Sequence, residues 1–184
     1  MENAIKILWT ICVCLLLGIA SGVGFVYSGL YDVSASTPDH PLVSWALHTL
    51  SDHSIDARLA GIVVPPALDT PANVAIGAQI FAANCMVCHG GPGLPPSNIA
   101  QGLNPAPPDL FKAGRQPWME ENFRFIKYGI KMTAMPAFGK TQTNEQIWQL
   151  ATFLRQAPGL SHTDFMTQTG IPVLAPSVPR PIGG

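Results

Sequence analysis

The stretch Phe81-Ala82-Ala83-Asn84-Cys85-Met86-Val87-Cys88-His89 decides how the rest of this chain is read. Its last five residues form C-x-x-C-H, the spacing of covalent haem attachment. Two thiols at this spacing on a helical turn can add across the two vinyl groups of one macrocycle, and the adjacent imidazole can turn onto its iron. A covalent link keeps haem in a domain too small to enclose it fully. Three other readings use the same residues: a disulfide, a thioredoxin-like dithiol and half of a zinc site. The dithiol expects a βαβ context, which the flanking sequence lacks. A Cys/His zinc site needs a second ligand pair, and no Cys follows Cys88. One covalent haem c is therefore expected, on Cys85 and Cys88, with His89 as an iron ligand.

Upstream of the motif, Val74, Gly77, Ala78, Phe81 and Cys85 recur at helical spacing, with Thr70 placed to cap and Pro71 at the first helical position. Downstream, residues 90–117 are rich in Gly and Pro and read as loop. Pro117 can open a further helix containing Phe123, Ile126 and Ile130. Residues 144–157 form the last clear helix, with a capping-box pattern at Thr143 and Gln146, an inner face of Ile147, Leu150, Ala151 and Leu154, and Pro158 as the stop. Between these helices, residues 129–139 offer Met132 and Met135 to the other side of an iron. Pro136 holds Met135 extended, which suits a side chain pointing inward from a loop. Met132 reads as core filler.

Composition widens the picture. Of 184 residues, 47% are hydrophobic and only 11% charged, against about 25% charged in an ordinary soluble domain. The net charge of −1 excludes a strong nucleic-acid footprint. Twenty-five residues, Ile7 to Tyr31, carry no charge, which is enough to cross a bilayer core of about 20 residues. Trp9, Tyr27 and Tyr31 stand near its ends like an aromatic belt. A cleaved signal peptide has an apolar run of only about 7–15 residues, so a retained anchor over residues 1–31 is expected, with bilayer lipid around it. In the region 32–70, Asp39 can cap a helix over 41–59. Val43, Ala46, Leu47, Leu50 and Ala57 share one of its faces, and an acidic opposite face suits packing on protein better than on an anionic membrane. His40, His48 and His53 read as surface or interface histidines rather than a second metal or haem site. Residues 159–184 have many prolines and no amphipathic period, and read as an extended tail.

Charge is uneven. Residues 32–73 sum to −4, whereas residues 74–157 sum to +3, with Lys127, Lys131 and Lys140 flanking the Met loop. A basic rim there would steer an acidic redox partner, though an ordinary solvated surface would look the same.

The series Gly77-x-x-x-Phe81-x-x-x-Cys85-x-x-Cys88-His89, then Met135-Pro136-Ala137-Phe138, then a C-terminal amphipathic helix, closely resembles the class I cytochromes c over about residues 70–158. The anchor, the 32–70 region and the CHGGPG and NPAPPDL loops are similar to membrane-bound monohaem cytochromes of bacterial electron-transport chains. The resemblance implies an all-α fold: a cytochrome c haem domain over 71–158, one N-terminal transmembrane helix and a Pro-rich C-terminal tail. It implies Met135 as the second iron ligand. It implies that Gly77 and Phe81 pack on Leu150, Phe153 and Leu154, and that a carbonyl from the Pro105–Pro108 run accepts a bond from His89. Arg115 or Trp118 could meet a haem propionate. The expected function is single-electron transfer at the periplasmic face of a bacterial inner membrane, with no substrate bond made or broken. The protein would act as a tethered shuttle or as a subunit of a membrane or periplasmic redox complex, a dehydrogenase or an oxidase. The rival readings are a haem enzyme or gas sensor with an open axial site, and a scaffold whose haem is structural.

Overall fold

The computed structural model describes residues 2–116 and 118–171, so Pro117 and the last thirteen residues of the expected tail lie outside the described residues. Among the described residues every regular element is helical, apart from one isolated bridge between Gly91 and Leu94. Residues 1–38 form one compact unit and residues 39–184 a second.

The first unit is helix α1 (Glu2–Tyr27), long and apolar enough to cross a membrane, with no buried residue. It is followed by a tight turn. Asp32 accepts from the Ser34 backbone N–H and from the Ser34 and Thr37 hydroxyls at 2.6–2.9 Å. Those bonds, the Ser34 hydroxyl first, hold its carboxyl down at about 2.

The second unit begins with α2 (Pro41–Asp56). Its cap is His40, not Asp39. Pro41 has no N–H, so the first backbone donor belongs to Leu42, and His40 Nδ1 accepts it at 3.3 Å. The helix is shorter than expected and buries nothing: Leu42, Trp45, Leu47 and Leu50 are all exposed.

The core is built by α3 (Pro71–Asn84) and α7 (Asn144–Gln156), with α6 (Met119–Tyr128) on α7 and α8 (His162–Thr169) on α3. The caps expected for α3 and α7 both form. Thr70 accepts from Asn73 N, and Thr143 and Gln146 complete a reciprocal capping box. The two helices meet at Gly77, where a Cβ would lie 2.1 Å from the Gln149 carbonyl oxygen and 2.9 Å from Phe153 Cβ. Only the absence of a side chain permits this approach. One turn on, Phe81 is fully buried with its ring centroid 5.5 Å from that of Phe153. Gly77 and Phe81 thus meet α7 as expected.

Two further expectations need correction. The helix before the Met loop ends at Tyr128, so Ile130 is outside it; Gly129, at φ 63°, terminates the helix. The chain after Gly159 is not extended throughout. Gly159 donates to the Phe111 carbonyl at 3.0 Å and turns the chain, and α8 then returns across α3. Its Phe165 is fully buried in a cluster with Phe81, Phe111 and Phe153, with centroid separations of 5.2–6.5 Å. The signals for α8 were local: Ser161 caps it by accepting from Asp164 N, and Gly170 closes it in the left-handed conformation. Its apolar residues, Phe165 and Met166, are adjacent and leave no period to detect.

Candidate functional site

Cys85 ends α3, and the single turn α4 (Met86–His89) follows directly, with another single turn, α5 (Asn98–Gln101), beyond it. Cys88 N and His89 N both donate to the Cys85 carbonyl at 3.0 Å, which wraps the motif into one helical turn. Gly90 then reverses the chain at φ 63°, where a Cβ would sit 2.5 Å from the Leu94 carbonyl oxygen. Cys85 and Cys88 are not joined in a disulfide. Cys85 is buried, and burial, reinforced by neighbouring Cys88, pushes its thiol up to about 12. It is held as an uncharged thiol on an apolar wall.

His89 Nδ1 lies 2.9 Å from the carbonyl oxygen of Pro108. A carbonyl can only accept, so Nδ1 carries the proton and Nε2 keeps its lone pair. Of the proline run, Pro108 is the residue that makes this contact. Burial pushes the imidazole pKa below its ordinary value; the Pro108 bond opposes that shift and the charge of Arg115 adds to it. The ring is therefore neutral and oriented, as a metal-ligating histidine must be.

Met135 arrives from a loop closed by its own hydrogen bonds. Ile130 N donates to the Met135 carbonyl at 3.2 Å, Met135 N to the Thr133 hydroxyl at 3.1 Å, and that hydroxyl to the Ile130 carbonyl at 2.8 Å. Gly129 is needed at the root, since a Cβ there would lie 2.7 Å from the Met135 carbonyl oxygen. Met135 packs on the core. Met132, expected as core filler, is instead 84% exposed with φ 62°. It sits on the outer side of the loop's turn, so burying Met135 leaves Met132 in solvent.

Cys85, Cys88, His89 and Met135 all line one cavity of about 510 Å³, walled mostly by apolar side chains from α3, α4, the Leu103–Leu110 segment, α6 and the Met loop. Arg115 and Asn122 also line it, and each has a buried nitrogen, Nη1 and Nδ2, without a hydrogen-bond partner. Asn122 went unremarked in the sequence, because a polar residue among helical apolar positions carries no local mark of burial. Trp118 is 71% exposed and does not line the cavity. His40, His48 and His53 are exposed and belong to the α2 segment.

The residues fit a haem. Two unlinked thiols and an oriented neutral imidazole share an apolar cavity with a thioether, and a buried guanidinium nitrogen is left unspent for a carboxylate. Together they define a c-type cytochrome domain, whose cofactor is covalent haem c. Residues 72–154 match the family model described as cytochrome c oxidase, cbb3-type, subunit III. The match runs from the start of α3 almost to the end of α7 and leaves out α1, α2 and α8. No curated protein and no solved structure matches the chain.

Proposed function

We propose that this protein is a membrane-anchored monohaem cytochrome c that relays single electrons. In this reading α1 lies in a bacterial inner membrane and the haem domain lies in the periplasm. The observation that carries it is the convergence of Cys85, Cys88, His89 and Met135 on one apolar cavity, with His89 Nδ1 spent on Pro108.

The chemistry haem c supplies when bound is one-electron exchange between ferric and ferrous iron. The chain's own residues do the rest. Cys85 and Cys88 would hold the haem through thioether bonds. His89 presents Nε2, held in place by Pro108. Met135, on the wall of the same cavity, would present a soft thioether, a ligand that favours the ferrous state and raises the potential. Thr133 and Gly129 brace the Met loop, and would so keep the Met135 side chain in one place. Arg115 offers its unspent nitrogen to a propionate. The apolar walls exclude water. In this reading the protein acts as an electron carrier and itself makes or breaks no substrate bond.

The partner is a membrane or periplasmic redox complex. The matched family is described as an oxidase subunit, which favours an oxidase, and a fixed subunit over a free shuttle. Lys131, Lys140, Lys127 and Arg124 surround the Met loop, and none forms an ion pair among the described residues. Lys127 and Arg124 lie against Tyr128 instead, at 5.4 and 4.9 Å from its ring centroid. This rim is left available for an acidic partner, so association should weaken as salt rises.

The test is spectroscopic. The ferric protein should show the weak long-wavelength band of sulfur–iron ligation, and Met135→Ala should abolish it and lower the potential, whereas Met132→Ala should leave both unchanged. Rapid binding of carbon monoxide by the wild-type ferrous protein would sink the reading in favour of an open-site haem enzyme or gas sensor. Purification from membranes in mild detergent, followed by mass spectrometry of whatever co-purifies, separates the fixed subunit from the shuttle.

A further inference from the structure

Two exposed surfaces of the second unit are complementary in both shape of burial and charge. The first is α2. Leu42, Trp45, Leu47 and Leu50 are exposed on it. Leu42, Trp45, Asp52 and Asp56 fall at i, i+3, i+10 and i+14, which puts them on one line along the helix, apolar at its start and acidic at its end. The helix has no Lys or Arg. The nearest cation, Arg58, is engaged elsewhere: its Nη1 donates to the Ser54 carbonyl at 2.8 Å and to the Ser54 hydroxyl at 3.0 Å. Asp52 and Asp56 form no ion pair among the described residues.

The second surface is the rim of the Met loop. Met132 is 84% exposed and Tyr128 54%. Arg124, Lys127, Lys131 and Lys140 accompany them, and no Asp or Glu occurs between Arg124 and Glu145. One surface is therefore apolar and acidic, the other apolar and basic. We propose that α2 docks on the Met-loop rim of a second copy of this chain, with Leu42 and Trp45 against its exposed Met132 and Tyr128, and with Asp52 and Asp56 among its lysines. The inference rests on α1 holding the copies in one membrane, where confinement strengthens a weak contact. A lipid surface fits α2 less well, because the two carboxylates share the line of Trp45 and no cation flanks them. A second α2 fits less well too, since like charges would face each other. The two surfaces are unlike, so a copy can give its α2 to one neighbour and receive that of another. A neighbour's α2 and the acidic redox partner then compete for the same rim.

The experiment is sedimentation equilibrium of the full-chain holoprotein in a non-ionic detergent, followed by haem absorbance. Wild type should self-associate as its concentration rises, and the association should be lost in about 1 M salt, where the screening length is about 3 Å. Asp52→Lys with Asp56→Lys should weaken association about tenfold or more, and so should Lys131→Glu with Lys140→Glu. A mixture of the two charge-reversed proteins should regain it, because the reversed α2 of one then meets the reversed rim of the other. All four side chains are exposed, so an unaltered haem spectrum in both variants checks that they fold. A second measurement needs only the wild type. Carbodiimide coupling of mixed heavy- and light-isotope protein should give mixed-isotope peptides that join Asp52 or Asp56 to Lys131 or Lys140. Association that resists salt and both reversals lies on another surface, such as α1, and overturns the inference. A wild type that stays monomeric and yields no such peptide also overturns it, and leaves α2 to lipid or to a different protein. Neither result touches the haem ligation, which the sulfur–iron band reports separately.

Discussion

Helices α2 and α8 reverse what their sequences suggest. Helix α2 is 16 residues long, has a readable apolar face and a Pro at its start, yet it buries nothing. Helix α8 is 8 residues long and has no apolar period, yet it buries Phe165 completely and Met166 nearly so. Both lie outside the segment that matches the cytochrome family. The difference lies in what each helix returns to. Helix α8 follows α7 through a turn pinned to Phe111, so its one large ring drops among three others. Helix α2 has no tertiary contact of comparable extent among the described residues. An apolar face states a need for burial, and it does not supply the surface that meets it.

The sharpest way to break this comparison is Phe165→Ala. Phenylalanine removed from a fully buried cluster should cost about 3–5 kcal/mol, read as a lowered denaturation midpoint of the holoprotein. A loss of under a third of that would mean that α8 is only loosely attached in solution. His162→Ala is the finer cut. His162 Nδ1 donates to the Pro92 carbonyl at 2.7 Å, just after the haem-binding motif. Its loss should cost about 0.5–1.5 kcal/mol and speed backbone hydrogen exchange across Gly91–Leu94. Unchanged exchange there would show that α8 holds that loop by Phe165 alone, since a Cβ at Gly91 would already lie 2.7 Å from its ring. The smallest effect is expected on α2. Trp45→Ala, at a side chain 63% exposed, should change the stability of the purified protein by less than about 0.5 kcal/mol. A larger loss would mean that this face is covered in solution, and α2 would then resemble α8 after all.

The same contrast runs through the haem site. Gly77, Phe81, Cys85, Cys88 and His89 were legible because their spacing is a property of one helix and the turn after it. Thr143 and Gln146 were legible for the same reason, since a capping box closes within one turn. The apolar run that became α1 needed only counting. That Met135 would be the methionine on the cavity wall was suggested by likeness to a family and, locally, by Pro136. Met132 was misread, because two methionines three residues apart on a tight loop look alike until the loop chooses which one faces inward.

What the sequence by itself determined was therefore local: an apolar span, a thiol pair with its histidine, the caps, and a glycine where two helices could touch. Tertiary structure alone decided which of several prolines meets His89, because Pro108 is 19 residues away and its neighbours are chemically equivalent. It also decided that His162 would reach Pro92 across 70 residues, that α8 would be buried while α2 was not, and that Asn122 would face the cavity with an unspent donor. Helical periodicity and covalent spacing are written over a few consecutive residues. Burial and hydrogen-bond pairing depend on which distant segments the chain brings back to the same place.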